Sequence, residues 1–67
     1  MGRKTHLNEK WLTDTELAKI LGVSVQKLRN DRYYGRGLPY YKFNRNIRYR
    51  ESDVLEYIDG ARVIPAN

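Results

Sequence analysis

The chain has no cysteine, and only one histidine among its 67 residues. A disulfide framework and a cysteine zinc site are therefore both excluded, and His6 cannot build a metal site alone. Apolar residues come in runs of no more than two or three, far short of a membrane span. The basic opening, Met1 to His6, is followed by no apolar stretch and does not read as a secretory signal. A chain of this size buries only about 60% of the surface its unfolded form exposes. That leaves little room for a deep catalytic cleft, and none for a nucleotide-binding α/β domain. No repeat or low-complexity segment is present. Ser24, His6 and any aspartate lack the spacing of a catalytic triad, and the carboxylates are spread along helix surfaces. The expectation is a soluble, cytoplasmic binding module without a cofactor, not an enzyme.

Charge is plentiful and unevenly placed. The net charge is +5, but residues 24–50 hold eight basic side chains against Asp31 alone, a balance of +7. Residues 1–23 sum to +1 and residues 51–67 to −3. A concentrated basic block in a small domain points to a polyanionic partner, above all nucleic acid.

Residues 1–10 are polar and aperiodic, and read as an N-terminal arm. Trp11 and Leu12 are the first apolar pair and should dock the chain onto a core. Thr13-Asp14-Thr15-Glu16 fits a capping box, with Thr13 as N-cap and Glu16 at the third helical position. The helix it opens runs through Leu17, Ala18, Ile20 and Leu21, and Gly22 suits a left-handed stop. Val23 enters the core and Ser24 caps a second, short helix reaching about Arg32. Val25 and Leu28 point to one side of it, and Gln26, Lys27 and Asn30 roughly to the other. Two helices joined by Gly22-Val23-Ser24 form a helix-turn-helix pattern.

Gly35 and Gly37 mark a loop, and Pro39 forces Leu38 toward an extended conformation. Tyr40 to Phe43 and Ile47 to Arg50 alternate like strands, with Asn44-Arg45-Asn46 as the turn between them. The spacing predicts one apolar face made of Tyr41, Phe43, Ile47 and Tyr49. The tyrosines at 41, 49 and 57 read as core plugs with wet hydroxyls rather than as base-stacking groups. Glu51-Ser52-Asp53 opens a last helix, with Ser52 or a neighbour as cap. Val54, Leu55 and Ile58 form its apolar face, Asp53, Glu56 and Asp59 its wet face, and Gly60 its stop. The domain thus spans residues 11–60, and residues 61–67 are a tail. The fold class is mainly α with a small β-hairpin, a minimal winged helix-turn-helix.

The stretches Leu17 to Ser24, Leu28-Arg29-Asn30, Gly35 to Tyr40, and Lys42 to Arg50 closing on Asp53-Val54 carry a resemblance. From Leu12 to Ile58 the chain resembles the small excisionase and AlpA-like proteins, relatives of the MerR DNA-binding domain. Members usually have glycine where this chain has Asn44, and often an aromatic where it has Asp31. In place of that aromatic, Asp31 is expected to pair with a nearby arginine while Tyr33 or Tyr34 fills the space. The resemblance implies a non-enzymatic protein that binds double-stranded DNA. It implies either an excisionase-like directionality factor of a phage or other mobile element, working with an integrase, or a small transcriptional regulator with the same DNA contacts. An RNA-binding or protein-interaction module is a third, weaker reading.

In this docking mode the second helix reads the major groove. Gln and Asn can bond adenine through two contacts, and Lys can bond guanine acceptors. Candidate contacts on that helix are Ser24, Gln26, Lys27, Arg29 and Asn30. In the loop and wing they are Arg36, Lys42, Arg45 at the tip, Asn46 and Arg48. Arg50, beside Glu51 and Asp53, is at least as well suited to a structural ion pair. Asp53, Glu56 and Asp59 are candidate contacts to an integrase or to further copies of the chain on adjacent sites.

Overall fold

The computed structural model describes residues 9–66. Residues 1–8 of the expected arm, His6 among them, lie outside the described residues. The element order is β1 (Trp11–Leu12), α1 (Asp14–Leu21), α2 (Val25–Tyr33), β2 (Tyr41–Phe43), β3 (Asn46–Arg50) and α3 (Glu51–Gly60). This is a winged helix-turn-helix: three helices, mainly α, with an antiparallel wing.

The two helices of the motif form where local chemistry closes their ends. Thr13 Oγ1 accepts from the Glu16 N–H at 3.1 Å, and Glu16 Oε1 accepts from the Thr13 N–H at 2.9 Å. That reciprocal pair satisfies two of the donors a helix start leaves open. The Thr13 N–H is also the main reason the Glu16 carboxyl sits below its ordinary pKa. Gly22 ends α1 at φ 70°, in the left-handed region, so the chain reverses. Ser24 Oγ then accepts from the Lys27 N–H at 3.1 Å and starts α2. Leu17 and Ala18 of α1 meet Leu28 of α2 in a core completed by Leu12, Leu38, Tyr49 and Val54. Val23 packs against this core from its edge, with Leu21, Val25 and Ile47.

The wing differs from expectation in two ways. First, it has a third strand: β1 pairs antiparallel with β3, so the sheet order is β1-β3-β2. Trp11 and Leu12 thus dock as a strand, with Leu12 opposite Tyr49. Second, the turn is shorter. Phe43 lies opposite Asn46, which belongs to β3, so only Asn44 and Arg45 form the turn. Asn44 takes φ 60° there, a left-handed conformation that asparagine tolerates better than most non-glycine residues.

That one-residue difference decides the faces of the sheet. Lys42 lies opposite Ile47 and Tyr41 opposite Arg48. Tyr41 and Phe43 therefore do not share a face with Ile47 and Tyr49, contrary to the sequence reading. They lie on the outer face with Trp11, whose ring centroid is 5.0 Å from that of Tyr41 and 5.5 Å from that of Phe43, edge-on to both. Tyr49, 1% exposed, is the core tyrosine. Tyr41 is half-buried and Tyr57 exposed, so the expected role of core plug fits Tyr49 alone.

α3 also departs from its expected pattern. Only Val54 is buried, while Leu55 and Ile58 are exposed. Ser52 is not the cap: Arg50 occupies that position, without a side-chain cap bond. The Glu51 N–H instead donates to the Lys10 carbonyl at 2.9 Å, and the Ser52 hydroxyl approaches Glu9 Oε2 at 3.4 Å. Gly60 is the last helical residue rather than the stop, and Ala61 follows in a helical conformation. Residues 61–66 have no helix or strand.

Candidate nucleic-acid interface

α2 presents its polar residues because its apolar ones are claimed by the core. Leu28 is buried and Val25 packs beside it, so positions 26, 27 and 30 must face outward. Gln26 Nε2 donates to Asn30 Oδ1 at 3.0 Å, one turn along the helix. The bond fixes both amides but uses only one donor of Gln26 and one lone pair of Asn30. Each amide retains a donor and an acceptor, which is the set adenine presents a partner for in the major groove.

The cations around this pair are held in place by carboxylates. Lys27 Nζ lies 3.2 Å from Asp31 Oδ2, and Arg36 Nε lies 3.1 Å from Asp31 Oδ1. The expected arginine partner of Asp31 is therefore Arg36, joined by Lys27. The Lys27 hydrogen bond, then Arg36, hold the Asp31 carboxyl below its ordinary pKa against the opposing effect of burial. Tyr33 and Tyr34, in contrast, fill no space in the interior: both are exposed. Arg29 Nε approaches Asp14 Oδ2 at 3.4 Å, which carries this arginine toward the start of α1.

The wing meets this surface across a cleft lined by Thr13, Asp14, Arg29, Arg32, Arg45 and Arg48, among others. Arg45 stands at the exposed tip of the wing. Among the described residues, neither Arg45 nor Lys42 forms an ion pair, so their charge is not offset by a fixed carboxylate. Arg48 is half-buried and donates to the Ile47 carbonyl at 2.8 Å. Lys42 projects from the opposite side of the sheet to Arg48, as its pairing with Ile47 requires. The structure thus brings Arg29, Arg45, Asn46 and Arg48 to one cleft, with Gln26, Lys27 and Asn30 on α2 and Ser24 at its N-cap. Arg36 belongs to the loop beyond α2, and Lys42 to the other side of the wing.

Asp53 does not face water as expected. It lies 2.9 Å from Arg50 Nη2, and Arg50 is raised above its ordinary pKa mainly by that bond. This is the structural ion pair foreseen for Arg50, and it takes Asp53 out of the acidic stripe. Glu56 and Asp59 remain exposed on α3, beside Leu55 and Ile58. Among the described residues no cluster of three His, Cys, Asp or Glu side chains is placed to hold a metal ion. No described helix is long and apolar enough to cross a membrane.

A capped two-helix motif with a basic wing beside it defines a DNA-binding helix-turn-helix protein. The family model described as a helix-turn-helix domain matches residues 11–62. The chain belongs to that family, the excisionase and AlpA-like group. No curated protein and no solved structure matches it.

Proposed function

We propose that the chain is an excisionase-like recombination directionality factor of a phage or other mobile element, acting in the cytoplasm on double-stranded DNA. α2 enters the major groove and reads bases through Gln26 and Asn30, with Ser24, Lys27 and Arg29 at its sides. The wing lays Arg45 along the backbone or in the neighbouring minor groove, with Asn46 and Arg48 behind it. Arg36 and Lys42 add phosphate contacts. The observation that supports this reading is the cleft between α2 and the wing, in which Arg29, Arg45 and Arg48 converge beside an exposed, pre-bonded pair of amides. A groove wall of DNA needs both features, since cations position the backbone and amides discriminate bases.

One copy of so small a domain contacts few base pairs, so useful specificity requires several copies or a partner. Glu56 and Asp59 supply an acidic patch for an integrase or for the basic face of a neighbouring copy. The test is footprinting on the element's attachment site and on DNA flanking the gene, followed by excision assays with the integrase. Protection beside the attachment site together with stimulated excision supports the proposal. Protection of the gene's own promoter without any effect on excision replaces it with a small transcriptional regulator using the same contacts. Neutralising Glu56 and Asp59 together should leave single-site binding intact and reduce cooperativity or integrase recruitment.

A further inference from the structure

α2 ends on two tyrosines whose rings stand in the open, Tyr33 at 82% and Tyr34 at 64% exposure. They are not loose neighbours. Their ring centroids are 4.9 Å apart in an edge-to-face arrangement. The Arg36 guanidinium lies 5.0 Å from the Tyr34 centroid, and Arg36 is itself bonded to Asp31 at 3.1 Å. The aromatic pair is thus buttressed from behind while its outer surface stays bare. Among the described residues neither hydroxyl has a hydrogen-bond partner, although exposed and ordered phenols are good donors.

Their position along the helix gives the pair a direction. Asn30 follows Gln26 by four residues, and Tyr33 and Tyr34 follow Asn30 by three and four. At 100° per residue these four side chains form one stripe on the side away from Leu28. α2 has nine residues, about 13 Å of helix, while the major groove is about 12 Å wide. A helix whose first turns sit over base edges therefore carries its last turn out over the sugar–phosphate strand that borders the groove. The surroundings suit a polyanion, since Lys27 and Arg36 flank the stripe and Asp31 is the only acid between residues 24 and 50.

We propose that Tyr33 and Tyr34 form a contact to the DNA backbone, in which the phenol hydroxyls donate to phosphate oxygens and the rings pack on deoxyribose. The proposal rests on the reading that α2 occupies the major groove. It makes the end of the helix a sequence-independent anchor for the Gln26–Asn30 reading pair. A neutral donor releases no counterion on binding phosphate, whereas each cation does. The tyrosine anchor therefore leaves a mark distinct from that of the arginines.

The experiment measures binding to target and random duplexes over a range of salt for Y33F/Y34F, Y33A/Y34A, R36A and N30A. The double Phe variant should lose roughly tenfold in affinity on both duplexes, as expected for two ordinary hydrogen bonds. The double Ala variant should lose more. In both, the slope of log affinity against log salt should stay at its original value, while R36A should flatten it by about 0.9. The unfolding midpoint checks that these exposed positions leave the fold unchanged. If N30A weakens the target and both tyrosine variants bind normally, the tyrosines do not touch DNA and the proposal fails alone. Tyrosine losses confined to the target sequence overturn it as well, since a backbone contact is blind to sequence. If N30A has no effect either, α2 is not in the groove, and the underlying reading falls together with the proposal.

Discussion

Arg32 donates a 2.6 Å hydrogen bond from Nη1 to the hydroxyl of Tyr49, tying α2 to the central strand of the wing. Its Nη2 lies 3.6 Å from Asp14 Oδ2 at the start of α1. The guanidinium also stands 5.8 Å from the Tyr40 ring centroid and 5.9 Å from that of Tyr49. One side chain, 16% exposed, therefore links both helices of the motif to the sheet. The angle between the wing and α2 depends on it.

Tyr49→Phe keeps the buried ring and removes only the acceptor. Hydrogen bonds involving a charged group contribute about 1.5–3 kcal/mol, and the guanidinium keeps Asp14 in the variant. The expected loss is about 1–2 kcal/mol, seen as a fall of roughly 5–10 °C in the unfolding midpoint. Arg32→Ala should cost more and should weaken binding to all duplexes by loosening the wing. An unchanged midpoint in Tyr49→Phe would show that the hydroxyl bond carries no net stability.

Two glycines with positive φ separate backbone strain from collision. A Cβ at Gly22, φ +70°, would meet nothing within 4 Å, so Gly22→Ala should cost only its left-handed conformation, about 1–2 kcal/mol. A Cβ at Gly37, φ +88°, would come 3.0 Å from the Asp31 Cβ. Gly37→Ala should therefore be the more destabilising of the two in urea unfolding. Equal losses would mean that the loop moves aside at no cost.

Reading and holding should separate by mutation. Asn30→Ala or Gln26→Ala should weaken the preferred site more than random DNA, by roughly 1–3 kcal/mol for one lost bidentate contact. Arg45→Ala should weaken both. With roughly 4–6 phosphate contacts the wild-type salt slope should be about −4 to −5, and Arg45→Ala should flatten it by about 0.9. Affinity that does not change with salt would remove the basic cleft from the interface.

Asp31 gives a prediction in pH. Its carboxyl lies below its ordinary pKa, first through the Lys27 hydrogen bond and then through Arg36. The folded chain therefore takes up this proton less readily than the unfolded one. The resulting stability is complete above the ordinary carboxylate pKa and is lost as pH falls through the lower folded value. Asp31→Asn should be less stable than wild type at neutral pH and should lose less on acidification. It also releases Lys27 and Arg36, so binding to random DNA should rise. Parallel acid-unfolding curves for the two proteins would assign the acid sensitivity to other carboxylates.

The features that were legible in the sequence are those written in adjacent residues. The Thr13–Glu16 box, the Gly22 reversal and the Ser24 cap each need only a few positions to recognise, and each stands where its chemistry requires. The sheet was harder because period-2 alternation shows that a strand has two faces, but not which face of its partner it meets. A three-residue turn at Asn44–Asn46 would have put Phe43 opposite Ile47, whereas the two-residue turn puts it opposite Asn46. β1 is two residues long and has no period to read. In α3 the pattern marked Leu55 and Ile58 as apolar, but only tertiary packing decides that Val54 alone reaches the core. The exposed tyrosines at the end of α2 were obscured for a similar reason, since tyrosine is intermediate in burial and only tertiary packing decides which way it turns.

The pairing of Trp11 with Arg50 and of Leu12 with Tyr49 has a consequence for the order in which the protein comes into being. The strand that leaves the ribosome first closes against a strand near the far end of the domain. Until that partner emerges, Leu12 has no Tyr49 to cover it, and Lys10 has no Glu51 to bond. The helical pair can form early from neighbours in the chain, but the sheet must wait for a contact of high sequence separation, which is slow to find. A chain cut short within the wing would lack Tyr49 and Val54 of the core and the strand pairing that holds Leu12. Completion of β3, rather than appearance of α1, is the moment at which the sheet can close.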